Sequence, residues 1–270
     1  MIIQESEQDN VILIDCQHCG SFYPVDDFRA NENSELWARI IDLARCCPDC
    51  QKKIDHQMQK MAEEQKRSNE YRKLLNSLFD AGFPREYIFF RGTDQLMVPP
   101  PRPAPAMWIE MHSDSHILLS GETGSGKSTS ACYIGRKKLA EGKNVRYTSL
   151  SALNASWREA RISQTPKAEK KFFNYIFNLD LIIIDEVIGK QKITEASREM
   201  LFRIIEGVNA GQCRARIWLL GEFFSGSLEQ IFGNDTNAVL RRLAENFCCG
   251  RISPDCEDVQ DINVYPRRTK

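Results

Sequence analysis

Gly121-Glu122-Thr123-Gly124-Ser125-Gly126-Lys127-Ser128-Thr129 is the stretch that decides the reading of this chain. It satisfies G-x-x-x-x-G-K-[ST] at every specified position. Each residue type there has a chemical reason. Glycines let the backbone curl until successive N–H groups point inward at an anion. Lys127 is placed to reach the β- and γ-phosphates, and Ser128 to ligand Mg²⁺. The helix that starts here turns its positive dipole end toward a bound nucleotide. The surroundings agree: residues 116–120 read as a buried strand leading in, and 130–141 as a helix stopped by Gly142.

A second motif supports the first. Leu179-Asp-Leu-Ile-Ile-Ile-Asp185-Glu186 is an apolar run ending in two carboxylates. A strand buried on both faces delivers its last residues to the carboxyl edge of a parallel sheet, beside the loop. Asp185 could then hold the Mg²⁺ shell, and Glu186 could orient and deprotonate an attacking water. Together the two motifs predict a nucleoside triphosphate hydrolase with ATP and Mg²⁺ as its cofactors.

Composition sets limits on the rest. The chain has 270 residues, 42% hydrophobic and 27% charged, which suits one core domain and a smaller module. A net charge of −1 leaves any nucleic-acid site local rather than general. No apolar run reaches the ~20 residues that span a membrane. The N-terminus lacks the basic-then-apolar order of a signal peptide. Both features predict a cytoplasmic protein, in which ten cysteines are thiols or metal ligands rather than disulfides.

Cys16-Gln-His-Cys19-Gly and Cys46-Cys47-Pro-Asp-Cys50 form two C-x-x-C knuckles. Four thiolates of such knuckles close a tetrahedral structural zinc site, and Cys16, Cys19, Cys47 and Cys50 are the predicted Zn²⁺ ligands, with Cys46 spare. A redox dithiol and unrelated core cysteines are the alternatives. This zinc-ribbon-like module is assigned residues 1–55 and a helical linker 56–97. The linker continues a long helix predicted over 51–79, whose basic side chains fit a solvated face or a nucleic-acid patch. Val98-Pro-Pro-Pro-Arg-Pro-Ala-Pro105 reads as a stiff spacer, assigned to 98–107. The core is assigned to 108–270, with strands at 116–120, 144–149, 181–185, 216–221 and 248–252 alternating with helices. The predicted fold is a three-layer α/β core around a parallel five-stranded sheet, with no room for a sizeable lid.

The core resembles the AAA+ ATPases of the bacterial helicase-loader and transposition-helper group, the DnaC/DnaI-like and IstB-like proteins. The resemblance rests on Gly121–Thr129, on the strand ending Asp185-Glu186, and on Leu228-Glu-Gln-Ile-Phe-Gly233 followed by Ala238-Val-Leu-Arg-Arg242-Leu243. Asp80-Ala-Gly-Phe-Pro-Arg85 is similar to the short element that precedes that family's core. The resemblance implies an ATPase that forms a homo-oligomer and works on DNA with a replicative helicase or a transposase. It also implies that Arg242, with Arg241 beside it, completes a neighbouring subunit's site. One position departs from the pattern: Glu222 stands where the family usually ends a strand in Asn near the γ-phosphate. A carboxylate there repels phosphate unless it is protonated, paired or metal-bound, so Glu222 has another role or hydrolysis is slow. If the core touches single-stranded DNA, Trp157, Arg158 and Arg161 are the candidate contacts, although an ordinary amphipathic helix explains them equally well.

Overall fold

The computed structural model describes residues 3–5, 12–25, 46–89, 99–162, 166–187, 193–223, 232–233, 236–252 and 258–262. The chain divides into two units, Met1–Arg72 and Lys73–Lys270.

In the first unit, β1 (Ile3–Glu5), β2 (Ile12–Asp15) and β3 (Phe22–Val25) form an antiparallel sheet in that order. The first cysteine knuckle is the turn between β2 and β3. It is closed by Cys16 N–H to Ser21 O and Gly20 N–H to Cys16 O, at 2.9 and 2.8 Å. The second knuckle is built differently, as the first turn of helix α1 (Pro48–Asp80). Pro48 suits that place because a first-turn N–H has no intrahelical partner to lose. Helix α1 ends within the second unit, and only Leu78 of it is buried.

The second unit follows the alternation of apolar runs. After α2 (Arg85–Ile88) and α3 (Pro103–Met111), the order is β4 (His116–Gly121), α4 (Lys127–Ala140), β5 (Val145–Ser149), α5 (Leu150–Ile162), α6 (Pro166–Phe177) and β6 (Leu181–Asp185). Then come α7 (Glu195–Asn209), β7 (Arg216–Gly221), α8 (Thr236–Asn246), β8 (Phe247–Ile252) and β9 (Val259–Asp261). The sheet order is β5-β6-β7-β4-β8-β9, with every pairing parallel except β8–β9.

Strand alternation builds the three layers. Leu118, Ile182, Ile184, Ile217 and Leu219 face one way, into a core with Leu153, Trp157, Ile176, Met200, Ile204 and Leu243 of α5–α8. Their neighbours Ile117, Leu119, Ile183, Trp218 and Leu220 are equally buried and face the other way. There α4 packs so closely that a Cβ on its Gly135 would lie 2.7 Å from Ile183 Cδ1.

Two differences from the sequence expectation stand out. The sheet has a sixth strand, the three-residue antiparallel edge β9, too short to announce itself by periodicity. The proline stretch does not continue as a spacer through residue 107. Helix α3 starts at Pro103, because prolines at the first helical positions cost nothing and preset φ. Its Trp108 Nε1 donates to Asp261 Oδ1 at 2.8 Å, which ties α3 to the extra strand. Leu228–Ile231 of the family-like segment and the tail from 263 lie outside the described residues, and Arg241 and Arg242 lie on α8.

Candidate functional site

The loop between β4 and α4 has the conformation the motif requires. Gly124 and Gly126 adopt φ of +82° and +96°, backbone states that a side chain resists. Lys127 opens α4 with its ammonium drawn back into the loop, donating to Gly121 O at 2.6 Å, Glu122 O at 2.8 Å and Ser125 Oγ at 3.3 Å. Burial lowers the Lys127 pKa, while Asp185, Glu222 and Glu122 nearby act in the opposite direction.

The carboxylate pair arrives where β6 ends. Asp185 is 6% exposed, and both its oxygens are engaged. Tyr147 Oη donates to Oδ2 at 2.5 Å and the Glu186 N–H donates to Oδ1 at 2.8 Å. Burial, with Cys132 and Asp185 nearby, raises the Tyr147 pKa, so the phenol keeps its proton and donates. Glu186 is exposed and stands at φ +55°, the one described non-glycine residue in the left-handed region. Such strain persists only where surrounding structure holds it, and it re-aims this side chain.

Loop and carboxylates line one cavity of about 940 Å³, ample for a nucleotide. Thr123, Gly124, Gly126, Lys127, Ser128, Thr129, Asp185, Glu186 and Glu222 all line it. Glu222 reaches it beside the loop, where it accepts a hydrogen bond from Thr123 Oγ1 at 2.6 Å. The sequence did not single out Tyr87, Arg102 or Asn154, which line it too. Asn154 Nδ2 bonds Ser197 Oγ at 2.9 Å, while its buried Oδ1 has no partner.

Two arginine-bearing segments are held within the chain. Arg242 does not project freely: it pairs with Glu206 at 2.6 Å and lies over the Phe202 ring, 5.6 Å from its centroid. Trp157 is fully buried, donates Nε1 to Glu169 Oε1 at 3.2 Å and is roofed by Arg161 at 4.8 Å. It cannot stack on a base. The helix is amphipathic in the ordinary sense, with Leu153 and Trp157 facing the core and Arg158 at the nucleotide cavity.

In the first unit, the sulfurs of Cys16, Cys19, Cys47 and Cys50 all lie within 4.8 Å of one another. The Cys19–Cys47 separation is 3.8 Å, which fits a tetrahedral Zn–S bond of about 2.3 Å, whose ligand sulfurs stand ~3.8 Å apart. The donor set is chemically apt. A hydrogen bond from the Cys47 backbone lowers Cys16 to about 6. Cys50, sharing protons with the Cys47 and Cys19 thiols, is pushed up to about 12. The cluster can hold a metal ion, and Cys46 is not among its members.

Residues 54–247 match the family model described as IstB-like ATP binding protein. The chain belongs to that family. Among curated relatives, this IstB-like chain is 32% identical over 100 residues to the insertion sequence ATP-binding protein y4uH of Sinorhizobium fredii (strain NBRC 101917 / NGR234), covering 37% of this chain and 38% of that one. It is 26% identical over 148 residues to y4pL of the same strain, covering 52% and 54%. To protein YdaV of Escherichia coli (strain K12) it is 29% identical over 96 residues, covering 34% and 36%. The alignments thus span between about a third and a half of those relatives' own length. Among solved structures, the DnaC helicase loader aligns at a TM-score of 0.43 and 14% identity, over 55% of this chain and 85% of that one. DnaA from Aquifex aeolicus bound to AMPPCP aligns at 0.45 and 16%, over 64% and 52%. Membership of the IstB-like family makes the chain an ATP-binding P-loop protein. Among the described residues no helix is long and apolar enough to cross a membrane.

Proposed function

We propose that this ATP-binding protein hydrolyses ATP as a switch that delivers a replicative helicase onto single-stranded DNA. In this reading the zinc-loaded cysteine module grips the helicase, and ATP-bound subunits assemble with one another. The observation that carries hydrolysis is Glu186, held exposed at φ +55° beside a buried Asp185.

The chemistry follows from the arrangement. A triphosphate takes the loop N–H groups, and Lys127 exchanges its three loop acceptors for phosphate oxygens. Ser128 and Asp185 are the residues that would hold Mg²⁺, which neutralises phosphate charge when bound. Glu186 accepts a proton from water as its oxygen attacks the γ-phosphorus, and the bond to the β–γ bridging oxygen breaks, releasing ADP. Thr123 gives Glu222 a hydrogen bond at the cavity wall, so its carboxylate serves to hold the loop. Arg242 acts in trans only by leaving Glu206, which makes assembly a competition between an intrachain and an intersubunit partner.

A second reading is supported by the printed descriptions of the relatives as insertion sequence ATP-binding proteins: the partner is a transposase. One experiment separates the two. Full-length protein is immobilised with ATP and offered purified helicase and transposase from the same cell, and its turnover is measured with and without single-stranded DNA. The loader reading expects helicase capture and DNA-dependent turnover. Transposase capture alone replaces it with the second reading. Tight ATP binding without turnover removes the enzyme from both.

A further inference from the structure

Asp185 and Ser128, the two residues assigned above to Mg²⁺, are each backed by a tyrosine. Tyr147 Oη donates to Asp185 Oδ2 at 2.5 Å, and Tyr87 lines the same cavity as Ser128, its hydroxyl beside that side chain. With Glu186 N–H on Oδ1 at 2.8 Å, the Asp185 carboxylate is fixed in its plane from both ends.

Neither tyrosine is part of the phosphate loop. Both belong to a seam with the segment Asp80–Ile88, which precedes the core. The Tyr147 ring stacks on Phe83, with centroids 5.6 Å apart and planes 26° off parallel. Tyr147 N–H donates to Ala81 O at 2.8 Å. Between them Gly82, at φ +83°, comes so close that a Cβ would lie 2.5 Å from Tyr147 O. Only glycine allows that approach. Tyr87 is fastened from the other side. Arg136, 2% exposed in the middle of α4, donates to Tyr87 O at 2.7 Å and Ile88 O at 3.2 Å. A buried guanidinium spent on two carbonyls is a costly fastening, justified where a short element must stay put.

We propose that Tyr147 and Tyr87 are positioning residues for Mg²⁺, and that the docked segment Asp80–Ile88 is part of the metal site's outer support. The inference rests on the Mg²⁺–ATP reading. Groups that orient metal ligands are typically worth 10–100-fold in metal affinity, and their loss should show in Mg²⁺ dependence rather than in nucleotide contacts.

The test is an equilibrium titration of full-length protein with a fluorescent ATP analogue, in EDTA and at rising Mg²⁺. Tyr147→Phe should leave the affinity in EDTA unchanged and raise the half-saturating Mg²⁺ about 10–100-fold. Tyr87→Phe should shift it in the same direction. Gly82→Ala, which forces the segment off β5, should reproduce the Tyr147→Phe shift although it touches no ligand. Equal weakening of binding in EDTA and in Mg²⁺ would make the tyrosines structural and overturn the proposal. So would an unchanged Mg²⁺ midpoint in Tyr147→Phe, or in a Gly82→Ala protein that melts at the parent temperature. Parent protein that binds the analogue without any Mg²⁺ response would overturn this inference alone. Parent protein that fails to bind it at all would overturn the ATPase reading beneath.

Discussion

Substituting one thiolate of the cysteine cluster should dismantle the first unit while leaving the second folded. Cys16 and Cys47 are buried, at 1% and 9% exposure, where the chain leaves β2 and where it enters α1. Structural zinc contributes about 10–16 kcal/mol to the folding of small modules. Divided over four ligands, that is roughly 2.5–4 kcal/mol per thiolate, or about 10²–10³-fold in affinity. Cys47→Ser should therefore lose zinc during purification, and Cys46→Ser should keep one equivalent. Elemental analysis counts the metal. Limited proteolysis reads the consequence, with cleavage confined to the first unit in Cys47→Ser and in chelator-treated protein. Less than half an equivalent in freshly purified, unchelated parent protein would refute the reasoning, as would equal zinc loss from Cys46→Ser.

Lys127→Ala should abolish ATP binding, whereas Glu186→Gln should bind ATP normally and turn over at least 10²-fold more slowly, because clamp and base serve different steps; isothermal titration and phosphate release check the pair. Arg242→Ala should bind ATP yet hydrolyse it up to ~10³-fold more slowly, and mixing it with Lys127→Ala should restore part of the activity if the arginine acts on a neighbour. His116 is lowered to about 4, chiefly by burial, as its Nδ1 accepts the Ile217 N–H at 3.1 Å. A folded pKa below the unfolded value means that this contribution is complete above about 6.5 and is lost as pH falls toward 4. Melting measured across that window should be flatter for His116→Asn, whose Oδ1 can accept the same bond, than for the parent.

What the sequence made legible was what depends on contiguous residues. The loop Gly121–Thr129 carries its conformation in its own glycines, and the run ending Asp185-Glu186 carries its burial in its own side chains. The five main strands were readable for the same reason, each falling within a residue or so of its expected bounds. Tyr147 was not readable as a partner of Asp185, since the contact requires β5 beside β6 with Ser149 opposite Asp185. Tyr87 and Arg136 meet across 49 positions, and no local pattern records such a pair. Trp157 shows the opposite limit: one aromatic flanked by cations looks alike on a binding surface and on a helix whose other face is core. Its full burial is decided by Phe173 and Glu169 on the next helix.

The lysine of the phosphate loop is bonded within its own turn. Lys127 gives its donors to three oxygens of its own turn, so an arriving anion replaces bonds instead of filling a vacancy. Inorganic phosphate brings one charged group to that exchange. A nucleoside tri- or diphosphate brings a chain of acceptors long enough to occupy the amides and the lysine together. A ligand that replaces all of those bonds must therefore carry several acceptors, as a polyphosphate chain does.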